Sequence, residues 1–358
     1  MRALPLCALA VAGCSFTADY GGTAYRCGNH DDCPSGYSCY DGLCLTEAPS
    51  PDAGPPASWW DAAWRARRPL TIHNMAAAPL ATGYQVGWQV DIESELGETD
   101  RHAVRLVAYD PDMDLWTEIP RLFDDAGVGS PVIWFTLPTA LDADQSEIVW
   151  LYQDNRSPPN APWTAIDVFE LADPLSELSP DIWVTQGSVV DEGNEIRFNE
   201  PSEMRSVDPW PVDRAVDIVV HMNDTANRLW FGFQREVPDF EPDVPWAVWI
   251  RREAGSTMLP EYAGPTDTLE TRWSGSTVPV GTSAHVYSVE RLVDRVVYKL
   301  DYQIASNDHD HVLDMDHGAP LFIRFSNTGA GSFWASRVRV RQVAYPAPAL
   351  ELGAREDL

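Results

Sequence analysis

Long apolar runs are missing beyond the first dozen residues. No later segment reaches the roughly 18 uncharged apolar residues that a membrane-spanning helix requires, so no second bilayer passage is expected. Positive charge is scarce: Lys and Arg number 25 against 54 Asp and Glu, a formal net charge of −29, and no basic cluster stands out. That excludes a phosphate-neutralising nucleic-acid surface and attraction to anionic headgroups. A G-x-S-x-G elbow and a Gly-rich phosphate loop are both absent, which removes the α/β serine hydrolases and the nucleotide-binding classes. Helical periodicity is also sparse, and that argues against all-α and α/β folds. Cysteine does not occur after Cys44.

What is present begins with an export signal. Arg2 supplies a short positive end, and Ala3 to Ala12 form an apolar run too short for a permanent span. The run closes on Val11-Ala12-Gly13-Cys14, which resembles the lipobox of bacterial lipoproteins. The resemblance makes residues 1–13 a leader and Cys14 the lipid-bearing mature N-terminus; the alternative is an ordinary leader cleaved elsewhere. Ser15 follows the anchor, and Gram-negative sorting rules would send it to the outer membrane. The expected location is therefore the cell envelope, at the outer membrane or cell surface, with the membrane reached through the lipid.

The remaining cysteines, Cys27, Cys33, Cys39 and Cys44, fall within a module spanning 14–45, among the turn formers Pro34, Gly36, Asp41 and Gly42. In an exported chain this predicts two disulfides, with the pairing open. A four-cysteine zinc site is the alternative, but it usually needs paired C-x-x-C knuckles, which are absent. The stretch from Cys33 to Cys44 resembles the C-P-x-G-x-x-C-x-x-G-x-C modules near the N-termini of myxobacterial surface proteins. Residues 46–57, TEAPSPDAGPPA, read as an extended Pro-rich linker.

The rest of the chain is expected to be all-β, as two β-sandwich, jelly-roll-like domains at 58–160 and 161–350 with a tail at 351–358. Short apolar runs bounded by turn residues carry this expectation: Val132 to Phe135, Ile148 to Tyr152, Val216 to Val220 and Leu321 to Phe325. Ser288 to Val297 fits a short helix or a strand. The opening Trp59-Trp60-Asp61-Ala62-Ala63-Trp64, followed by Arg67 and the strand into Ile72, resembles the start of the bacterial family called domain of unknown function 2341. Ile148 to Asn155 is similar to that family's closing strand, with Gln153-Asp154 departing from its turn. The resemblance implies an exported β-rich module with no activity. Phe169 to Trp183, Asn194 to Phe198 and Ser336 to Val343 resemble the entry, an early strand and the closing strand of a concanavalin-like jelly roll, a type shared by lectins and glycosidases.

A glycosidase of that type would show alternating carboxylates on one strand. Asp91, Glu93 and Glu95 alternate at what reads as a strand end, and Asp239, Glu241 and Asp243 alternate between prolines; solvated turns explain both sets. No catalytic residue is nominated, and no cofactor beyond calcium. Calcium would be held by Asp308, Asp310, Asp314 and Asp316, among His309, His311 and His317; a polar hairpin loop explains the same residues. For sugar stacking the candidates are Trp246 and Trp273, read as the exposed tryptophans, while Trp230 and Trp249 belong to core strands. The functional expectation is a non-catalytic binding or adhesion protein whose partners are glycans or envelope proteins. The alternatives are a polysaccharide hydrolase and a purely architectural component.

Overall fold

The computed structural model describes residues 59–98, 100–125, 131–235, 244–265, 267, 272–313 and 318–358, with the paired strands β1 (Ser38–Tyr40) and β2 (Leu43–Leu45). Cys14, Cys27, Cys33, Asp239, Glu241, Asp243, Asp314, Asp316 and His317 lie outside the described residues. The unit 1–51 contributes the pair β1 and β2, whose register sets Cys39 opposite Cys44. Everything else belongs to one compact unit, Asp52–Leu358. Among the described residues no helix is long and apolar enough to cross a membrane.

The architecture is all-β. The first subdomain runs through β3 (Ala66–His73), β4 (Gln85–Gln89), the single-turn helix α1 (Ile92–Leu96), β5 (Arg105–Asp110), β6 (Leu115–Glu118), β7 (Arg121–Asp124), β8 (Val132–Thr136) and β9 (Ser146–Gln153). Two sheets form, one with β3, β9, β5 and β6 and one with β4, β8 and β7. Strand alternation decides which side chains meet between them. Leu70 and Ile72, Val149 and Leu151, and Ile133 and Phe135 close a buried core. The other face of β9 presents Trp150 and Tyr152, which pack with Trp59, Trp60, Trp64 and Trp116. Into that cluster Arg67 inserts its guanidinium, 4.4 Å from the Trp150 ring and 4.6 Å from Trp59. The Trp59-Trp60 opening is therefore a cover over the outer face of the sheet.

The second subdomain follows as β10 (Leu171–Asp173), β11 (Trp183–Asp191), β12 (Ile196–Ser206), β13 (Arg214–Met222), β14 (Leu229–Gln234), β15 (Trp246–Arg251), β16 (Thr257–Ala263) and β17 (Trp273–Ser274). It continues as β18 (Val278–Pro279), β19 (His285–Arg291), β20 (Arg295–Leu300), β21 (Asp310–Val312), β22 (Phe322–Asn327) and β23 (Phe333–Gln342). Their main path runs β17-β16-β15-β14-β22-β12-β23-β13-β19-β20-β21. Long β12 joins the two halves, pairing β22 through Ser202 to Arg205 and β23 through Ile196 to Phe198. The sheet curls there. Phe231, Trp249 and Phe325 of one half then face Val216, Tyr287 and Val338 of the other across a single apolar core.

Two expectations are made definite and two need correction. Ser288 to Val297 takes the strand of its two alternatives, in the hairpin of β19 and β20, with Val289, Val296 and Val297 buried. Asp91 to Glu95 is not a strand end: Asp91 Oδ1 accepts from the amides of Glu93 and Ser94 and caps α1, which stops at Gly97 with φ 72°. Ser336 to Val343 falls largely on β23, which is last in chain order in the second subdomain and lies inside its sheet between β12 and β13. The segment 351–358 is no tail: β24 (Ala349–Leu352) and β25 (Glu356–Asp357) both pair with β3. The chain returns to the first subdomain, where Arg67 and Glu356 form an ion pair at 2.8 Å.

Candidate functional site

The residues nominated from sequence do not converge. Trp246 of β15 pairs with Ala263 and faces away from the sandwich core, where it packs with Trp230, Val248 and Ile250 and is 1% exposed. Trp273 pairs with Tyr262, one residue out of phase, and so points to the other side of the same sheet. It stacks on His311 with ring centroids 4.4 Å apart and on Tyr298 at 5.9 Å. The expected exposed pair is thus one closed tryptophan and one partly buried one, on opposite faces. Trp230 and Trp249 are buried as expected.

The acidic loop divides its carboxylates between different neighbours. Asp308 accepts from the amide and hydroxyl of Ser276, and hydrogen bonds from Ser306 and Ser276 hold its pKa below the usual range. Asp310 accepts from the Tyr345 hydroxyl at 2.7 Å, with Arg295 3.4 Å away. Among the described residues no group of three or more His, Cys, Asp or Glu is placed to hold a metal.

Carboxylates on the outer face of β12, β22, β14, β15 and β16 are tied up by arginine. Glu203 meets Arg324 at 2.5 Å, and Glu261 meets Arg252 at 2.5 Å and Arg272 at 3.3 Å. Four strand steps separate the two glutamates, about 19 Å along the sheet. Acid and nucleophile pairs of glycosidases stand roughly 5 to 10 Å apart.

The concavities lie instead along the seam between the subdomains. On β23, Val338 and Val340 enter the jelly-roll core while Arg337, Arg339 and Arg341 project to the other face. There the first subdomain covers them. Asp124 of β7 accepts from Arg337 at 2.9 Å, from Arg339 at 2.6 Å and from the Tyr302 hydroxyl. Arg341 bonds Asp217 at 2.9 Å and Glu290 at 2.7 Å, and Lys299 reaches Glu290 at 2.6 Å. Gln85 of β4 accepts from the Gln342 amide at 2.7 Å.

A cleft of about 210 Å³ opens here, lined by Tyr84, Trp134, Glu290, Lys299, Tyr302 and Arg341 among others. The Trp134 ring lies edge-to-face with Tyr302 at 5.5 Å and with Phe169 at 5.6 Å, and Arg341 sits 4.8 Å over it. Gly87 makes room: a Cβ there would come within 2.7 Å of the indole. Among the described residues the indole Nε1 has no hydrogen-bond partner. Burial raises the Glu290 carboxyl, but Lys299 and Arg341 outweigh it and draw the pKa to about 2. Burial pushes Tyr84 up to about 12 and lifts Tyr302 as well. At neutral pH the cleft thus holds a fixed carboxylate, two fixed cations and protonated phenols beside an aromatic ring. That set suits hydrogen bonding and stacking. It does not suit proton transfer, which needs a group titrating near the working pH.

None of these cleft residues was nominated from sequence. Two signals for them exist. The unbroken run Val132 to Phe135 fits a strand buried on both faces, with Ile133 and Phe135 in the sandwich and Val132 and Trp134 at the seam. Arginine at every second position of β23 required acidic partners on a covering surface.

No family model matches the chain, and no curated protein does. Solved structures similar to about half of it include the Crh5 transglycosylase, at 14% identity over 49% of this chain and 85% of that one, TM-score 0.39. Others are the metal-free carbohydrate recognition domain of Emp46p, at 8% identity over 48% and 95%, TM-score 0.38, and a family 16 glycosyl hydrolase from Mycobacterium smegmatis, at 10% over 48% and 99%, TM-score 0.37.

Proposed function

We propose that the protein is an exported, lipid-anchored envelope protein that binds glycans without cleaving them, and that one sugar residue occupies the seam cleft. The observation that carries this reading is the Glu290, Lys299 and Arg341 network beside Trp134 and Tyr302. Its charges neutralise one another and are held by mutual hydrogen bonds, so they act as positioned acceptors and donors for hydroxyls, while the rings offer apolar faces to the sugar. A carboxyl drawn to about 2 stays ionised and is unfit as a general acid. The anchor rests on the Val11 to Cys14 motif, and Cys14→Ser should move the protein from the membrane fraction to the soluble one.

The binding test is a glycan array with the full chain carrying Cys14→Ser, run with calcium and with a chelator, beside Lys299→Met and Tyr302→Phe variants. Binding that falls about tenfold or more in both variants supports the cleft. Binding that neither variant changes places the ligand elsewhere, and no binding leaves the architectural role. Shortened oligosaccharides by mass spectrometry would replace the binding reading with the hydrolase.

A further inference from the structure

A second concavity adjoins the polar cleft and is walled largely by small apolar residues, with Asp213, Arg214 and Gln342 also in its lining. It measures about 360 Å³ and shares Tyr84, Val343 and Ala344 with its neighbour. One wall is the segment Ala76-Ala77-Ala78-Pro79-Leu80-Ala81, and Leu292 stands on the other side. The alanine wall is preformed. Asn74, 1% exposed, donates through Nδ2 to the carbonyls of Ala78, Leu141 and Asp142 and accepts from the Ala76 amide through Oδ1. Leu80 and Leu141 add a reciprocal backbone bridge.

Charge around the two cavities is balanced. Arg341 meets Asp217 and Glu290, Lys299 meets Glu290, Arg214 meets Glu170, and Asp213 stands in the field of Arg214 and Arg291. No surplus charge is left there to select an ion, and the chain's net −29 repels polyanions. A ligand spanning both cavities places a hydroxyl-rich ring against fixed donors and acceptors and an apolar group against the alanine wall.

We propose that the seam takes an amphiphilic glycoside: an uncharged sugar head in the polar cleft, bearing an alkyl, acyl or aryl substituent that lies in the alanine-walled cavity. This rests on the reading of the polar cleft as a sugar site. A hydrocarbon chain laid along that wall leaves water, and each buried methylene contributes about 0.8 kcal/mol, a factor of roughly four in affinity. Three buried methylenes give a gain of about 60-fold.

The experiment is calorimetric titration of the full chain carrying Cys14→Ser with methyl and octyl glycosides of glucose, galactose and N-acetylglucosamine. The octyl compounds stay below their micelle concentrations, and 1-octanol serves as the sugar-free control. Ala81→Trp fills the apolar cavity from an exposed position, and Lys299→Met impairs the polar cleft. The expected result is at least one sugar whose octyl glycoside binds about 60-fold tighter than its methyl glycoside. Ala81→Trp should remove that gain and leave the methyl glycoside unchanged, whereas Lys299→Met weakens both. Equal affinity of methyl and octyl forms overturns the amphiphile proposal and leaves the sugar site standing. Octanol binding as tightly as the octyl glycosides removes the sugar head, and with it the sugar site. An octyl gain untouched by Ala81→Trp, or no binding by any of the six glycosides, also overturns the proposal.

Discussion

Removing the Asp124 carboxylate is the sharpest test of the seam. Its side chain is fully buried, and its partners Arg339 and Arg337 are 5% and 21% exposed. In Asp124→Ala, Arg339 keeps its charge with neither water nor an anion in place of the carboxylate, and Tyr302 loses its acceptor. Removing one side of a buried ion pair costs about 3 to 5 kcal/mol; the part due to Arg337 is smaller, because water reaches it. For the unit Asp52–Leu358, with about 2.1 cal/mol/K per residue over some 300 residues, 1 kcal/mol moves Tm by about 1.6 °C. The expected drop is about 5 to 8 °C by scanning calorimetry. Adding Arg337→Met and Arg339→Met should restore most of it, because an apolar replacement of a whole buried ionic cluster is often near neutral. A drop under about 1.5 °C, or a triple variant less stable than Asp124→Ala, refutes the assignment of this cluster as a lock between the subdomains.

Further outcomes follow from the same geometry. Glu290 has a folded-state pKa drawn from 4.5 to about 2, so the stability it contributes is complete above 4.5 and is lost as pH falls from 4.5 toward 2; urea midpoints across that window should fall less in Glu290→Gln. His285, bonded to Asp301 at 2.7 Å and to the Val280 carbonyl at 2.9 Å, has a raised pKa, the Asp301 hydrogen bond being the largest cause. Its contribution is complete below 6.5 and disappears as pH rises through the raised value, and Asp301→Asn should lower the imidazole titration seen by NMR. Gly87→Ala forces the Trp134 ring aside and should cost about 1 to 3 kcal/mol in denaturant unfolding while weakening any cleft ligand; an unchanged midpoint would show that the ring has room to move.

The strands were legible where one alternation decided both faces. In β13, Val216, Ile218 and Val220 enter the core as their spacing implies. Trp246 was misjudged because Pro245 before it suggested a loop edge, whereas the register of β15 with β14 and β16 sets it on a second buried face. The seam was illegible for another reason. Asp124 and Arg339 are 215 residues apart, and nothing local says which acid answers an arginine on a distant strand. The return of β24 and β25 to β3 was hidden likewise, since four residues of Ala-Leu-Glu-Leu after a proline look the same in a tail and in an edge strand.

That return bears on how the protein carries load. β3 is the first strand of the unit Asp52–Leu358 and is hydrogen-bonded along both edges, to β9 over its full length and to β24 and β25 on the other side. If the chain is tethered through its N-terminus as proposed, a pull along β3 loads two ladders at once. A protein held there and gripping a ligand at the seam would pass that tension through a strand braced on both sides before it reaches β19, β20 and β23, the jelly-roll strands that bring Glu290, Lys299 and Arg341 to the cleft.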